Sequence, residues 1–259
     1  MTTVRVTDVT ERAELQLFGC WELRVGDGLL ELSHREQRLV ALLALTGRRP
    51  RAQVAGVLWP EAAETHAMAS LRAAVWRTNH ALDGLLAANR STIALDLDVA
   101  CDVVDLVSCA ERTVVDPHAV PFDAAVTRLR GGDLLPGWYE DWVLFERERL
   151  KHLRMRAFES LAVAGLRSGC PHESVVAARE MTALEPLHET GQFLLLQALL
   201  AAGQSVEALR QYHSYARRVG QDLGTVPSPS VTDLVRPLLL PAQGHRQADP
   251  APWSQRARR

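Results

Sequence analysis

One stretch concentrates polar chemistry: Met68–Leu86, MASLRAAVWRTNHALDGLL. Its spacing predicts a single helix with two different sides. At about 100° per residue, Leu71, Val75, Thr78, Leu82 and Leu85 fall together and form the side that wants a core. Arg72, Trp76, Arg77, Asn79 and His80 gather on the other, with Asp83 as the lone acid. Guanidinium, amide and imidazole groups donate to phosphate oxygens and to base edges, and a helix fits the major groove of DNA. A solvated helix seldom adds a Trp to such a face. A second reading fits the same residues, a surface helix whose Trp76 packs on a neighbouring domain.

The rest of the chain must hold that helix up. With 259 residues, 47% of them hydrophobic, there is enough material for two cores. Aromatic residues are scarce, and the Ala and Leu that replace them favour helix. The net charge of −2 excludes a chain that is cationic throughout. Up to Leu95, eleven Arg stand against ten Asp plus Glu, a near-neutral balance that permits DNA contact only through a local face.

Residues 1–13 lack pattern and read as a lead-in. Leu15, Leu17, Trp21, Leu23 and Val25 alternate with polar residues, Gly26-Asp27-Gly28 makes a turn, and Leu29–Leu32 supplies a third short strand. Ser33 followed by Glu36 reads as a capping box opening the helix HREQRLVALLALT, which Gly47 stops. A short helix from Pro50 to Pro60, a loop over 61–66 and the Met68–Leu86 helix follow. Ile93, Leu95 and Leu97 then alternate as a returning strand behind the turn Asn89-Arg90. Three strands, three helices and a hairpin make a helix-turn-helix with a wing, and Arg90 stands at the wing's tip.

After Asp98 the pattern becomes helical. Helices are expected from Val103, over 120–130 and over 139–167, with the connector LLPGW before the last. The run RERLKHLRMR within it reads as a solvated face of mixed sign. Gly169 and Gly203 are 34 residues apart, and Pro186 and Gly220, expected to close the second helices, keep the same interval. That is the period of helix-turn-helix solenoid repeats. Tyr212 and Tyr215 are candidates for the exposed concave face, with core packing expected for at least one of them. Pro227, Pro229 and Pro237 are expected to break up the end. The boundaries expected are 14–100 for an α+β winged helix, 101–240 for an all-α TPR-like repeat domain and 241–259 for a disordered tail carrying Arg256, Arg258 and Arg259.

No catalytic constellation appears: GxSxG, GxxxxGK[ST] and HExxH are all missing. The nine His keep no ligand spacing, and Asp96 and Asp98 read as polar residues of an exposed strand face. Cys20, Cys101, Cys109 and Cys170 form no CxxC pair and read as thiols of a reducing compartment. Neither an enzyme nor a cofactor or metal protein is expected. No apolar run approaches the roughly 18 residues of a membrane span, so a soluble cytoplasmic chain without membrane contact is expected.

The ordered set of segments resembles a known family. LQLFGCWELRVGDG at 15–28, REQRLVALLAL at 35–45, VAGVLWP at 54–60 and SLRAAVWRTNHAL at 70–82 are similar to the OmpR/PhoB-type winged helix. GDLLPGWYEDW at 132–142, ERERL at 146–150 and AAGQSVEALRQYHSYARRVGQDLG at 201–224 are similar to the bacterial transcriptional activator domain. Together, over residues 14–240, they resemble the SARP family, the Streptomyces antibiotic regulatory proteins. The resemblance implies an activator of secondary-metabolite gene clusters that binds direct repeats in double-stranded promoter DNA and contacts RNA polymerase holoenzyme; tandem sites would suit two copies side by side, a homodimer on DNA. It implies that Arg72, Trp76 and Arg77 face bases or backbone, with Asn79 and His80 beside them. Asn89 and Arg90 would form the wing, and Arg48, Arg49 and Arg51 would touch polymerase or phosphate. Relatives typically carry a leucine at Thr78 and basic residues at Asn79 and His80, so only Arg77 keeps that cluster. Trp76 is unusual on such a face; it packs on a thymine methyl or holds the second domain. The implied alternative is a non-enzymatic helical-repeat adaptor whose winged helix makes protein contacts. With only about 14 residues ahead of the winged helix, no preceding phosphoacceptor domain is expected, and no following nucleotide-binding domain is expected either.

Overall fold

The computed structural model describes residues 13–96 and 99–239. Residues 1–12 of the lead-in, Leu97, Asp98 and the Arg-bearing tail therefore lie outside the described residues. The first strands form a meander, β1 (Ala13–Gln16), β2 (Glu22–Val25) and β3 (Gly28–Leu29), with Leu15 opposite Leu23. Leu15, Leu17 and Leu23 point inward and Glu14, Gln16 and Arg24 outward, as the period of two requires. The third strand is shorter than the expected 29–32 stretch. Then come α1 (His34–Thr46), β4 (Arg49–Pro50), α2 (Arg51–Leu58), α3 (Glu64–Ala81), β5 (Leu86–Ala88) and β6 (Thr92–Leu95). A second sheet has the order β4-β6-β5.

The expected capping box exists in altered form. Ser33 caps no backbone group; its hydroxyl instead donates to the Glu36 carboxylate. The displayed helix begins earlier and ends sooner than the expected Met68–Leu86. Leu82 is extended and Gly84 has φ +78°, so the chain leaves the helix and Leu86 enters β5. Leu85 still reaches the core, but from a turn. The wing is thus a true hairpin of β5 and β6, and Arg49–Pro50, where the sequence indicates no strand, adds a third strand to it.

Strands do not cease after Asp98 either. Ala100–Cys101 (β7) runs parallel to β1, giving the first sheet the order β3-β2-β1-β7. The helical part follows: α4 (Asp102–Val115), α5 (Phe122–Arg130), α6 (Asp141–Arg167), α7 (Pro171–Leu184), α8 (Glu189–Ala201), α9 (Ser205–Leu223) and α10 (Pro229–Leu239). The 34-residue period marks equivalent turns. Gly169 and Gly203 have φ +70° and +73°, a conformation costly for other residues, and the N–H of the following residue returns to Gly165 and Leu199 in the same way. The second half of the expected period differs. Gly220 lies inside α9, which runs on until Gly224 closes it in the left-handed region. Pro229 opens α10 rather than breaking the end, because proline suits a helix's first turn. Tyr215 is buried and Tyr212, half-buried, meets the Thr232 hydroxyl, so both serve packing.

Two apolar clusters form. The second belongs to the helical repeats, around Phe158, Leu161, Ala177 and Leu196. The first fills the winged helix around Leu39, Leu43, Leu58, Leu71 and Ile93, and it also takes in Val103, Leu106, Leu134, Leu135, Val143 and Leu150 from the chain beyond. An N-terminal mixed α/β domain thus shares its core with the start of an all-α repeat region. No described helix is long and apolar enough to cross a membrane.

Candidate nucleic-acid interface

Helix α3 is seated by Leu71, Ala74 and Thr78, all with no exposure. Thr78 fills a core position; its hydroxyl has no hydrogen-bond partner there. A buried hydroxyl left without a partner costs stability.

The opposite side divides the expected residues into two groups. Arg72, Trp76 and His80 form a free face. Trp76 is 66% exposed and lies parallel to the His80 ring, with centroids 5.1 Å apart. The second domain therefore does not cover it, and the expectation that Trp76 packs on that domain is corrected. Arg72 is exposed and has no hydrogen-bond or ion-pair partner among the described residues. With Val75, Asn79 and Arg51 these residues line an open groove of about 430 Å³.

Arg77 and Asn79 hold the fold instead. The Arg77 Nε donates to Glu36 Oε1 of α1 at 2.8 Å. Burial works to raise the Glu36 carboxyl, but hydrogen bonds from Ser33 and Arg77 and the Arg77 charge outweigh it and hold the carboxyl below its ordinary range. The Asn79 amide accepts the Leu86 N–H at 2.9 Å and donates to the Leu86 carbonyl at 3.1 Å, fastening α3 to the wing.

The wing shows the same division. Asn89 Oδ1 accepts the backbone N–H groups of Ser91 and Thr92 at 2.9 and 2.8 Å, and so shapes the turn. That leaves Arg90 exposed at the tip, with no partner among the described residues. Arg51 donates to the Asn89 carbonyl at 3.3 Å, which brings its charge beside the α3 groove. Arg48 reaches Thr92 Oγ1 at 3.4 Å and Arg49 the Arg48 carbonyl at 3.2 Å. Strand β4, paired with β6, sets Arg48, Arg49 and Arg51 against the wing, and Arg51 also lines the α3 groove with Arg72; among the described residues no carboxylate pairs with Arg48, Arg49, Arg51, Arg72 or Arg90.

Sequence reasoning missed the work of the α6 cations. Arg147 donates to the carbonyls of Leu134, Leu135 and Trp138 at 2.8, 2.6 and 2.9 Å. Arg154 caps the end of α5 through the carbonyls of Leu129 and Arg130, and burial pushes its guanidinium pKa down. Arg149 pairs with Glu146, and Lys151 with Glu148 and Glu185. The Pro-Gly turn in the connector LLPGW was the available signal, because carbonyls of a turn packed into the core need donors from elsewhere.

The architecture is a winged helix joined to a helical repeat, with an open polar face on the third helix. The family model of the bacterial transcriptional activator domain matches residues 103–239, and the chain belongs to that family. It is similar to the regulatory protein AfsR of Streptomyces coelicolor, 31% identical over 242 residues covering 88% of this chain, and to that of Streptomyces griseus, 30% identical over 228 residues. The chain spans 23% of the length of each of these relatives. Among solved structures, Mycobacterium tuberculosis EmbR in complex with a low-affinity phosphopeptide has a similar fold, with TM-score 0.67 at 20% identity, over 88% of this chain and 65% of that one. At the level of family the chain is SARP/AfsR-like.

Proposed function

We propose that this chain is a sequence-specific DNA-binding transcriptional activator of a secondary-metabolite gene cluster, binding promoter repeats as two copies and contacting RNA polymerase holoenzyme. The observation that carries the reading is the free face of α3. Arg72 is displayed with no partner among the described residues, and Trp76 and His80 stack only on each other, in a groove that Arg51 also lines. Arg72 and the Trp76–His80 stack are assigned to the bases, and Arg48, Arg49, Arg51 and Arg90 to phosphate or polymerase. Arg77 and Asn79 act indirectly, by fixing α3 to α1 and to β5.

The adaptor reading draws on one observation. With Arg77 and Asn79 committed to the fold, the DNA-facing set is thinner than its sequence indicates. Fluorescence anisotropy separates the two, using duplexes from the chain's own gene neighbourhood and salt from about 20 to 200 mM, a range over which phosphate contacts weaken steeply. Saturable, salt-sensitive binding that survives random competitor DNA supports the activator. Flat anisotropy at the lowest salt refutes it and leaves the adaptor.

A further inference from the structure

The junction between the winged helix and the repeats is built like a core rather than a linker. The Leu17 N–H donates to both oxygens of Asp102, at 3.1 and 3.0 Å, and the Phe18 N–H to one of them at 2.9 Å. Asp102 opens α4, where the helix end favours a carboxylate. The continuation of β1 is then gripped by the connector. The Leu135 N–H donates to the Leu17 carbonyl at 2.9 Å, and the Gly19 N–H to the Asp133 carbonyl at 2.9 Å. Leu135 is fully buried with φ +44°, a conformation that persists in a leucine only where its surroundings over-determine it. Arg147 is that surrounding, since its guanidinium holds three carbonyls of the same turn. Two residues past Trp138, Glu140 forms an ion pair with Arg38 of α1 at 3.0 Å, and α1 is the helix that anchors α3 through Glu36.

We infer that Asp102 and Arg147 are positioning residues that lock the DNA-facing helix α3 at one orientation to the helical repeats, so that α7 to α10 are presented at a set place beside the promoter. The two halves move as one body, and a regulator built this way reads DNA and addresses its partner with fixed geometry. The transcriptional consequence rests on the activator reading; the rigidity itself does not.

The test measures the rigidity without DNA. Spin labels go on the exposed native Cys170 and on Thr65→Cys at the start of α3, with Cys20→Ser removing the other exposed thiol. Cys101 and Cys109 are buried, and burial pushes the Cys101 thiol up to about 11, so neither competes for label. Double electron–electron resonance on the full chain should give one narrow distance. Arg147→Ala should broaden or split it; Arg147→Lys, which keeps the charge but has a single nitrogen for three carbonyls, should broaden it less. Asp102→Ala should broaden it, and Asp102→Asn, which keeps an acceptor, should restore much of the sharpness. If Arg147→Ala does not fold, Arg147→Lys and the Asp102 pair decide. A folded variant set with distances as sharp as the parent overturns the proposal, as does a broad distribution in the parent. Where DNA binding is present, the broadened variants should keep their affinity for an isolated duplex and lose transcriptional activation. Loss of both together would mean that the residues only stabilise the fold. No DNA binding in the parent would sink the activator reading and leave the distance result standing.

Discussion

Helices α3 and α6 both carry arginines interleaved with apolar residues, and they divide them differently between the fold and solvent. On α6, Arg147, Arg149, Lys151 and Arg154 all have partners within the chain; of the Arg and Lys in RERLKHLRMR, Arg156 alone has none among the described residues. On α3, Arg77 is held by Glu36, but among the described residues Arg72 has no partner and His80 has only the Trp76 ring, which itself stands in solvent. The more basic helix is thus spent on architecture, and the less basic one is left open to a ligand. Counting charge along a sequence cannot separate these cases. What separates them is whether carbonyls and carboxylates from distant residues arrive beside the guanidinium groups.

The contrast is most exposed at Arg147. Arg147→Ala strands three carbonyls at the junction and should destabilise the chain by about 2–4 kcal/mol, read as a lower midpoint in urea. Arg77→Ala comes next. It leaves the Glu36 carboxylate buried with only Ser33 beside it, at a cost of about 1–3 kcal/mol, kept down because the guanidinium is half-exposed and screened. The pH dependence has a definite sign. Glu36 is held below its ordinary range when folded, so its contribution is present above that range and is lost as the pH falls through it toward the lowered value. The parent should therefore weaken between about pH 5 and pH 3 more than Arg77→Ala does, as urea midpoints across that interval will show.

Arg72→Ala and Trp76→Ala sharpen the comparison from the other side. Each should leave stability within about 0.5 kcal/mol and weaken binding to the preferred duplex about tenfold or more. Thr78→Val removes the orphaned hydroxyl at nearly constant shape and should raise stability by about 1 kcal/mol, with DNA affinity unchanged. Arg149→Ala should do least, under about 1 kcal/mol, because its pair with Glu146 is exposed.

Much of the architecture was legible because it repeats. Apolar spacing along the chain places the helices, and Gly169 and Gly203 mark equivalent turns. What escaped depends on contacts far apart in sequence. Strands β4 and β7 have two residues each, too short for any period, and they exist only because β6 and β1 lie beside them. The end of α3 at Ala81 is set by Gly84 and by the demand of β6 for a partner, where the apolar spacing alone ran on through Leu85. Gly220 mimicked a helix stop, yet α9 absorbs it. In the candidate site, the display of Arg72, Trp76 and His80 followed from helical geometry. The commitment of Arg77 to a residue 41 positions earlier did not.

The most direct measurement sets the two helices against each other on DNA. Anisotropy titrations over about 20 to 200 mM salt would compare the parent, Arg72→Ala with Trp76→Ala, and Arg149→Ala with Lys151→Ala. The account predicts that the α3 pair loses affinity and flattens the salt dependence, while the α6 pair behaves as the parent although it has lost more charge. Equal loss in both pairs, or loss in the α6 pair alone, would contradict it and move the DNA site off α3.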